Sequence, residues 1–151
     1  MKRLTFFMVA IMALCLTAIA QKQSSKTLVA YFSATGTTEK AAKLVAEVTG
    51  GTLYEIQPAK KYTSADLDWH DKSSRSSVEM ADAKSRPTLS SKAENLADYD
   101  TVYIGFPIWW HEEPAVIRTF LDNYSEQLKG KVILPFCTSY ESPMSEADAT
   151  L

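Results

Sequence analysis

The sequence predicts an α/β domain built on a single parallel sheet. Short, nearly continuous apolar runs at 27–32, 100–105 and 132–137 are the first sign. Segments with helical spacing between these runs are the second, and turn residues at the joins are the third. An apolar run of strand length without alternation belongs to a strand covered on both faces, the usual condition of a parallel sheet. Strands alternating with helices imply right-handed crossovers and a ligand site beyond the carboxyl ends of the strands. The 151 residues fit one domain, and 46% hydrophobic with 23% charged residues is an ordinary globular composition. No internal repeat is present.

The first 20 residues stand apart. Lys2 and Arg3 precede an apolar run that ends in Ala18-Ile19-Ala20, followed by polar residues from Gln21 to Lys26. This is the layout of a secretory signal peptide, and the run is short for a membrane-spanning helix, which needs about 20 apolar residues. The expected organisation is a signal at 1–20 cleaved after Ala20, a linker at 21–26 and one domain at 27–151, in a protein exported to the periplasm or secreted. Cys15 lies in the apolar run, and Met12-Ala13-Leu14 lacks the small residue that precedes a lipidated cysteine. Removal of Lys2 and Arg3 leaves 14 basic against 18 acidic residues, a formal charge of −4. That balance argues against nucleic-acid binding, which needs a basic face. It also leaves Cys137 as the one cysteine, so no intramolecular disulfide is expected. Inside an apolar run, Cys137 reads as a small hydrophobe.

Each element follows in order. The run at 27–32 is the first strand. Ala41, Ala42, Leu44, Val45 and Val48 recur at helical spacing, with Gly50-Gly51 closing the helix where a left-handed residue is needed. Residues 52–57 alternate and end at Pro58, as a second strand does. The polar segment that follows predicts one helix over 65–84, broken by Arg86-Pro87. A third strand at 100–105 leads to a helix with Pro114 in its first turn and Val116, Ile117, Phe120 and Leu121 on its apolar face. Lys129-Gly130-Lys131 turns into the fourth strand at 132–137.

Ser33-Ala34-Thr35-Gly36-Thr37-Thr38 joins the first strand to its helix, with four hydroxyls in six residues. Amides at a helix start and the helix dipole favour a phosphate, hydroxyls add donors without bulk, and Gly36 lets the chain bend around the anion. The turn has no lysine or arginine, which suits a permanently held phosphate monoester. It lacks the Gly-Lys-Ser/Thr of a triphosphatase loop and the repeated glycines of a dinucleotide turn. A serine- and threonine-rich helix cap without a ligand is the plainer alternative. After the third strand comes Phe106-Pro107-Ile108-Trp109-Trp110-His111. Adjacent indoles at a strand end suit a flat ring held by stacking, and one of them equally suits core packing.

Together the two loops resemble the flavodoxin-like family. The matching elements are Tyr31-Phe32-Ser33-x-Thr35-Gly36-x-Thr38, Glu79 with Arg86-Pro87, Tyr99-Asp100, and Gly105-Phe106-Pro107-Ile108-Trp109-Trp110. The resemblance implies a flavodoxin-like three-layer sandwich whose parallel sheet has four strands in the order 2-1-3-4, holding one FMN without a covalent bond. It places the phosphate at Ser33, Ala34, Thr35, Gly36, Thr37 and Thr38. One side of the isoalloxazine falls to Phe106, Pro107, Ile108, Trp109, Trp110 and His111, and the other to Thr138, Ser139 and Tyr140. Relatives carry small, glycine-rich sequence in that third loop, whereas this chain has Tyr140, Glu141 and Pro143. Only 14 residues follow Cys137, so the fifth strand and last helix of the family are expected to be missing, leaving Val29 and Tyr31 partly bare.

Smaller constellations carry weaker expectations. Asp66 and His70 lie four apart and would share a cation on a helix, although such clusters are more often a solvated helix face. Trp69 would anchor that helix to the sheet or cover the edge of the site. His111 beside Glu112 and Glu113 reads as a turn into a helix or as a proton relay, and the two acids would lower the potential of a bound flavin. The functional expectation is an FMN-dependent redox protein: an electron carrier or a small quinone or flavin reductase. Its partner would be a redox protein or a small-molecule donor or acceptor, with no membrane association after signal cleavage. The competing expectation is an exported, non-catalytic domain that has lost its flavin.

Overall fold

The computed structural model describes residues 26–90 and 92–140. The expected signal, Glu141 and Pro143 lie outside the described residues. Four strands, β1 (Thr27–Tyr31), β2 (Thr52–Glu55), β3 (Thr101–Pro107) and β4 (Val132–Thr138), form one sheet in the order β2-β1-β3-β4. Every pairing is parallel, with Tyr31 opposite Gly105 and Gly105 opposite Phe136. The helices are α1 (Thr37–Thr49), α2 (Arg75–Ala81) and α3 (Ala115–Leu128), with a short 3-10 turn at Leu96–Asp98. This is a flavodoxin-like α/β fold in the predicted strand order.

The two faces of the sheet bury different residue sets. Leu28, Ala30, Phe32, Val102, Ile104 and Phe106 pack with Val116, Ile117 and Phe120 of α3. On the other face Val29 and Tyr31 pack with Ala42 and Ala46 of α1. Tyr31 is only 6% exposed and Val29 fully buried, so the expectation that they would be bare is corrected. α1 approaches closely because its inward positions are alanines. Its Leu44 and Val48, counted in the apolar face from sequence, point outward instead. Apolar surface is also bare at the sheet's edge, where Val132, Ile133 and Leu134 of β4 are exposed. Gly105 sits where a Cβ would lie 2.2 Å from the Phe136 ring, so this strand position admits the ring only because it has no side chain.

The predicted helix over 65–84 is largely absent. Only the seven residues of α2 are helical, and turns precede them. Asp66 accepts from the Thr63 amide and hydroxyl, Asp68 from the His70 amide, and Asp71 from the Ser73 amide and hydroxyl. Aspartate and serine side chains here take amides that a helix would have used, which is why such residues favour turns and caps. Ser74 then caps α2 through the Ser77 amide. Asp66 and His70 therefore do not share a helix face, and the His70 ring lies against Trp69 at 3.5 Å. Tyr62, Leu89 and Ala93, which flank these residues in the chain, pack on the α3 side of the core.

Candidate functional site

The turn after β1 is held by its own residues. Gly36 precedes α1 with φ +86°, a left-handed conformation open to glycine, and its amide donates to the Ser33 hydroxyl at 3.1 Å. The first amide to reach an intrahelical acceptor is that of Lys40, on the Gly36 carbonyl. The amides of Thr37, Thr38 and Glu39 come before it, and no side chain caps this terminus. Such a helix start presents donors and a positive dipole end to an anion. Thr38 is buried beneath the turn, and its hydroxyl meets that of Thr138 at 2.7 Å. This bond ties the β1 loop to the end of β4, while Thr35 and Thr37 stay exposed.

The loop after β3 makes a tight turn. Trp109 and Glu112 exchange backbone hydrogen bonds of 3.0 and 2.9 Å, and the two residues between them, Trp110 and His111, have φ of +48° and +70°. Two successive left-handed residues define a hairpin turn that asparagine and glycine normally occupy. A tryptophan there carries backbone strain, a feature that gathers at ligand sites. The indoles divide the roles that sequence left open. Trp109 packs edge-on against Phe32 at 5.6 Å and Tyr62 at 5.3 Å, which fixes its ring. Trp110 is 44% exposed.

These loops meet at a cavity of about 700 Å³, within the size range of small-molecule and cofactor sites. Ala34, Thr35, Thr37 and Thr38 line it, with Pro107, Ile108, Trp109, Trp110 and His111, and with Ser139 and Tyr140. Four predicted residues stand behind the wall or in the core. Ser33 and Gly36 shape the turn, Thr138 braces Thr38, and Phe106 is fully buried in the core. Phe106 lies on β3 before the chain turns, so its alternation sends the side chain into the sheet's packing.

Leu67, Trp69 and Ser76, from the turns and helix between β2 and β3, also line the cavity, and of these only Trp69 has a place near the site among the sequence expectations. Trp69 was expected to anchor a helix or cover the site. It is 66% exposed and lines the cavity, so it covers. An indole inside a polar stretch was the available signal, whereas nothing periodic marks Ser76. Tyr62 couples this wall to Trp109. Its hydroxyl donates to Glu79, whose other oxygen accepts from Arg75 Nε at 2.6 Å, and the Arg75 guanidinium sits 4.0 Å over the Tyr62 ring. Burial first, then the hydrogen bond to Glu79, push the Tyr62 phenol well above its ordinary value of 10.0.

Among the described residues the cavity wall includes no lysine, arginine or carboxylate. An anion there would be held by amides, hydroxyls and the α1 dipole. Glu112 and Glu113, which follow His111 in the chain, line a separate cleft with Arg118. Glu113 is 2% exposed and accepts from Arg118 Nε at 3.0 Å, and Glu112 accepts from Arg118 Nη2 at 3.2 Å. That single guanidinium offsets one of their two charges. Cys137 is half-buried against the core, and burial raises its thiol above its usual range, away from nucleophilic use. An uncapped helix start joined by an aromatic wall fits a ligand with a phosphate at one end and a flat ring at the other.

A family model for flavodoxins matches residues 26–151. A candidate flavoprotein from Bacteroides uniformis is 64% identical with a TM-score of 0.79, the match covering 83% of this chain and 80% of that one. Another from Bacteroides eggerthii is 55% identical with a TM-score of 0.81, covering 83% and 78%. A Lactobacillus acidophilus flavoprotein, solved in complex with FMN, shares the fold at 24% identity and a TM-score of 0.69, covering 83% and 82%. A comparison with curated proteins gives no match. The chain belongs to the flavodoxin family.

Proposed function

We propose that this member of the flavodoxin family binds one FMN and passes electrons through it, either to a partner protein or to a small quinone or flavin. The observation that carries the reading is the union of the α1 start with the Trp109-Trp110 turn in one cavity. FMN, when bound, supplies the redox chemistry. The chain's own residues hold and shape. Amides of Thr37, Thr38 and Glu39, with the hydroxyls of Thr35 and Thr37, receive the phosphate dianion. Trp109, locked against Phe32 and Tyr62, offers a fixed face for the ring, and Trp110 covers it from a more exposed position. With Trp69 and Tyr140 also exposed at this cavity, the ring edge stays within reach of a partner. The flavin-bound relative from Lactobacillus acidophilus supports the choice of ligand by analogy of fold.

The test is the visible absorption of the purified protein titrated with FMN. One equivalent should bind with shifted flavin bands and quenched fluorescence. A protein that leaves flavin fluorescence unchanged, with a melting temperature unmoved by FMN, would remove the reading and favour a flavin-free domain. Rapid bleaching of the bound flavin by NAD(P)H would mark a reductase, and no bleaching a carrier served by another protein. We further propose export by the 1–20 signal, for which N-terminal sequencing of the cell-derived protein should begin at Gln21.

A further inference from the structure

We propose that Ser76 is an additional flavin contact, donating or accepting a hydrogen bond at the ring and ribityl part of FMN rather than at its phosphate. The inference rests on the flavin reading above and adds a residue from outside the loops that resemblance indicated. Ser76 is 2% exposed, and its Oγ is the one buried side-chain polar atom among the described residues without a hydrogen-bond partner. Its backbone amide is engaged, donating to the Asp66 carbonyl at 2.9 Å, so the residue is fixed while its hydroxyl is not. The same residue lines the 700 Å³ cavity. A buried hydroxyl with no partner is costly, and native structures nearly always satisfy one with protein, water or ligand. Rotation about a single side-chain torsion moves this hydroxyl among three staggered positions without moving the backbone.

Placement favours the ring side. Ser76 shares its wall with Leu67 and Trp69, an apolar and an aromatic neighbour. Its preceding residue, Arg75, covers Tyr62, which packs on Trp109 at 5.3 Å. The phosphate turn is already furnished by its own hydroxyls and by the start of α1. A hydroxyl on the aromatic wall answers a different requirement, since the ring and ribityl chain carry polar atoms that stacking leaves unpaired. Hydrogen bonds of this kind give orientation and specificity in otherwise apolar pockets.

Three measurements on the wild type and Ser76→Ala test the inference: the melting temperature of the apoprotein, and the Kd for FMN and for riboflavin by fluorescence quenching. Loss of an unpaired hydroxyl should leave the apoprotein equally or more stable. The Kd for FMN should rise about 3- to 10-fold, and that for riboflavin by the same factor, with a shifted band position in the bound spectrum. Weakening of FMN alone would overturn the ring assignment by moving the contact to the phosphate. Equal binding by wild type and variant would overturn the inference while the flavin reading stands. A wild type that binds neither flavin would overturn both.

Discussion

The turn after β1 holds its left-handed backbone with Gly36 and a serine hydroxyl, whereas the turn after β3 holds two left-handed residues with Trp110 and His111. Both line one cavity. In the first, residue types and backbone agree, so the turn is relaxed and its polar groups are left for an anion. In the second, a bulky residue stands where glycine or asparagine would be easier, and the result is an indole placed at the cavity's wall. The strain of such a position is about 1 to 2 kcal/mol per residue. The β1 turn is thus specified locally, while the β3 turn depends on packing from elsewhere: Phe32 of the β1 loop and Tyr62 from beyond β2 fix Trp109.

Four variants test this contrast. The largest effect belongs to Thr35→Ala with Thr37→Ala. Both side chains are exposed, so the apoprotein should melt within a degree or two of wild type, yet the FMN affinity should fall about 100-fold. Riboflavin, lacking the phosphate, should bind as before, and isothermal titration with the two ligands reads the difference. Equal losses for both would show that the turn does not hold a phosphate.

Next come the adjacent indoles. Trp109→Ala should destabilise the apoprotein by about 3 kcal/mol, because it empties a packed aromatic cluster. Trp110→Gly should leave stability unchanged or raise it by up to about 1 kcal/mol, because it relieves a left-handed tryptophan. Urea unfolding of both variants decides whether the two residues differ as the geometry requires. Similar losses would mean that Trp110 is also a packing residue.

The smallest effect is at Tyr62. Its phenol is raised in the folded state, so its contribution is present in full below the ordinary value of 10.0 and is lost as pH rises above it. Stability should therefore fall between pH 10 and 12 more steeply in wild type than in Tyr62→Phe, as read by chemical denaturation across that range. At neutral pH the variant should cost about 1 kcal/mol, the usual net value of one hydrogen bond. A variant with the same alkaline slope would remove Tyr62 as its cause.

Much of the fold was legible because its signals are local. Apolar strand runs, the helical spacing before Gly50 and the proline before α3 each act within a few residues. The segment between β2 and β3 was misread for a physical reason. Its spacing suits a helix, yet Asp66, Asp68 and Asp71 bond nearby amides and hold it in turns until Ser74 caps the short α2. β4 shows a second limit. Its apolar run matched that of β3, but Val132 is 55% exposed while Val102 is fully buried. A run of apolar residues states what a strand is able to bury, not what packs upon it.

The site divides along the same line. The turn after β1 was legible in the sequence, since glycine's freedom, small hydroxyls and the start of a helix are properties of consecutive residues. The sequence also placed two indoles at the end of β3. Tertiary packing decided which indole is locked and which is open, that Phe106 belongs to the core, and that Arg118 pairs with both Glu112 and Glu113. It also brought Leu67, Trp69 and Ser76 to the cavity. Those outcomes depend on contacts between residues tens of positions apart, and such contacts are set by how the sheet orders its strands rather than by any local pattern.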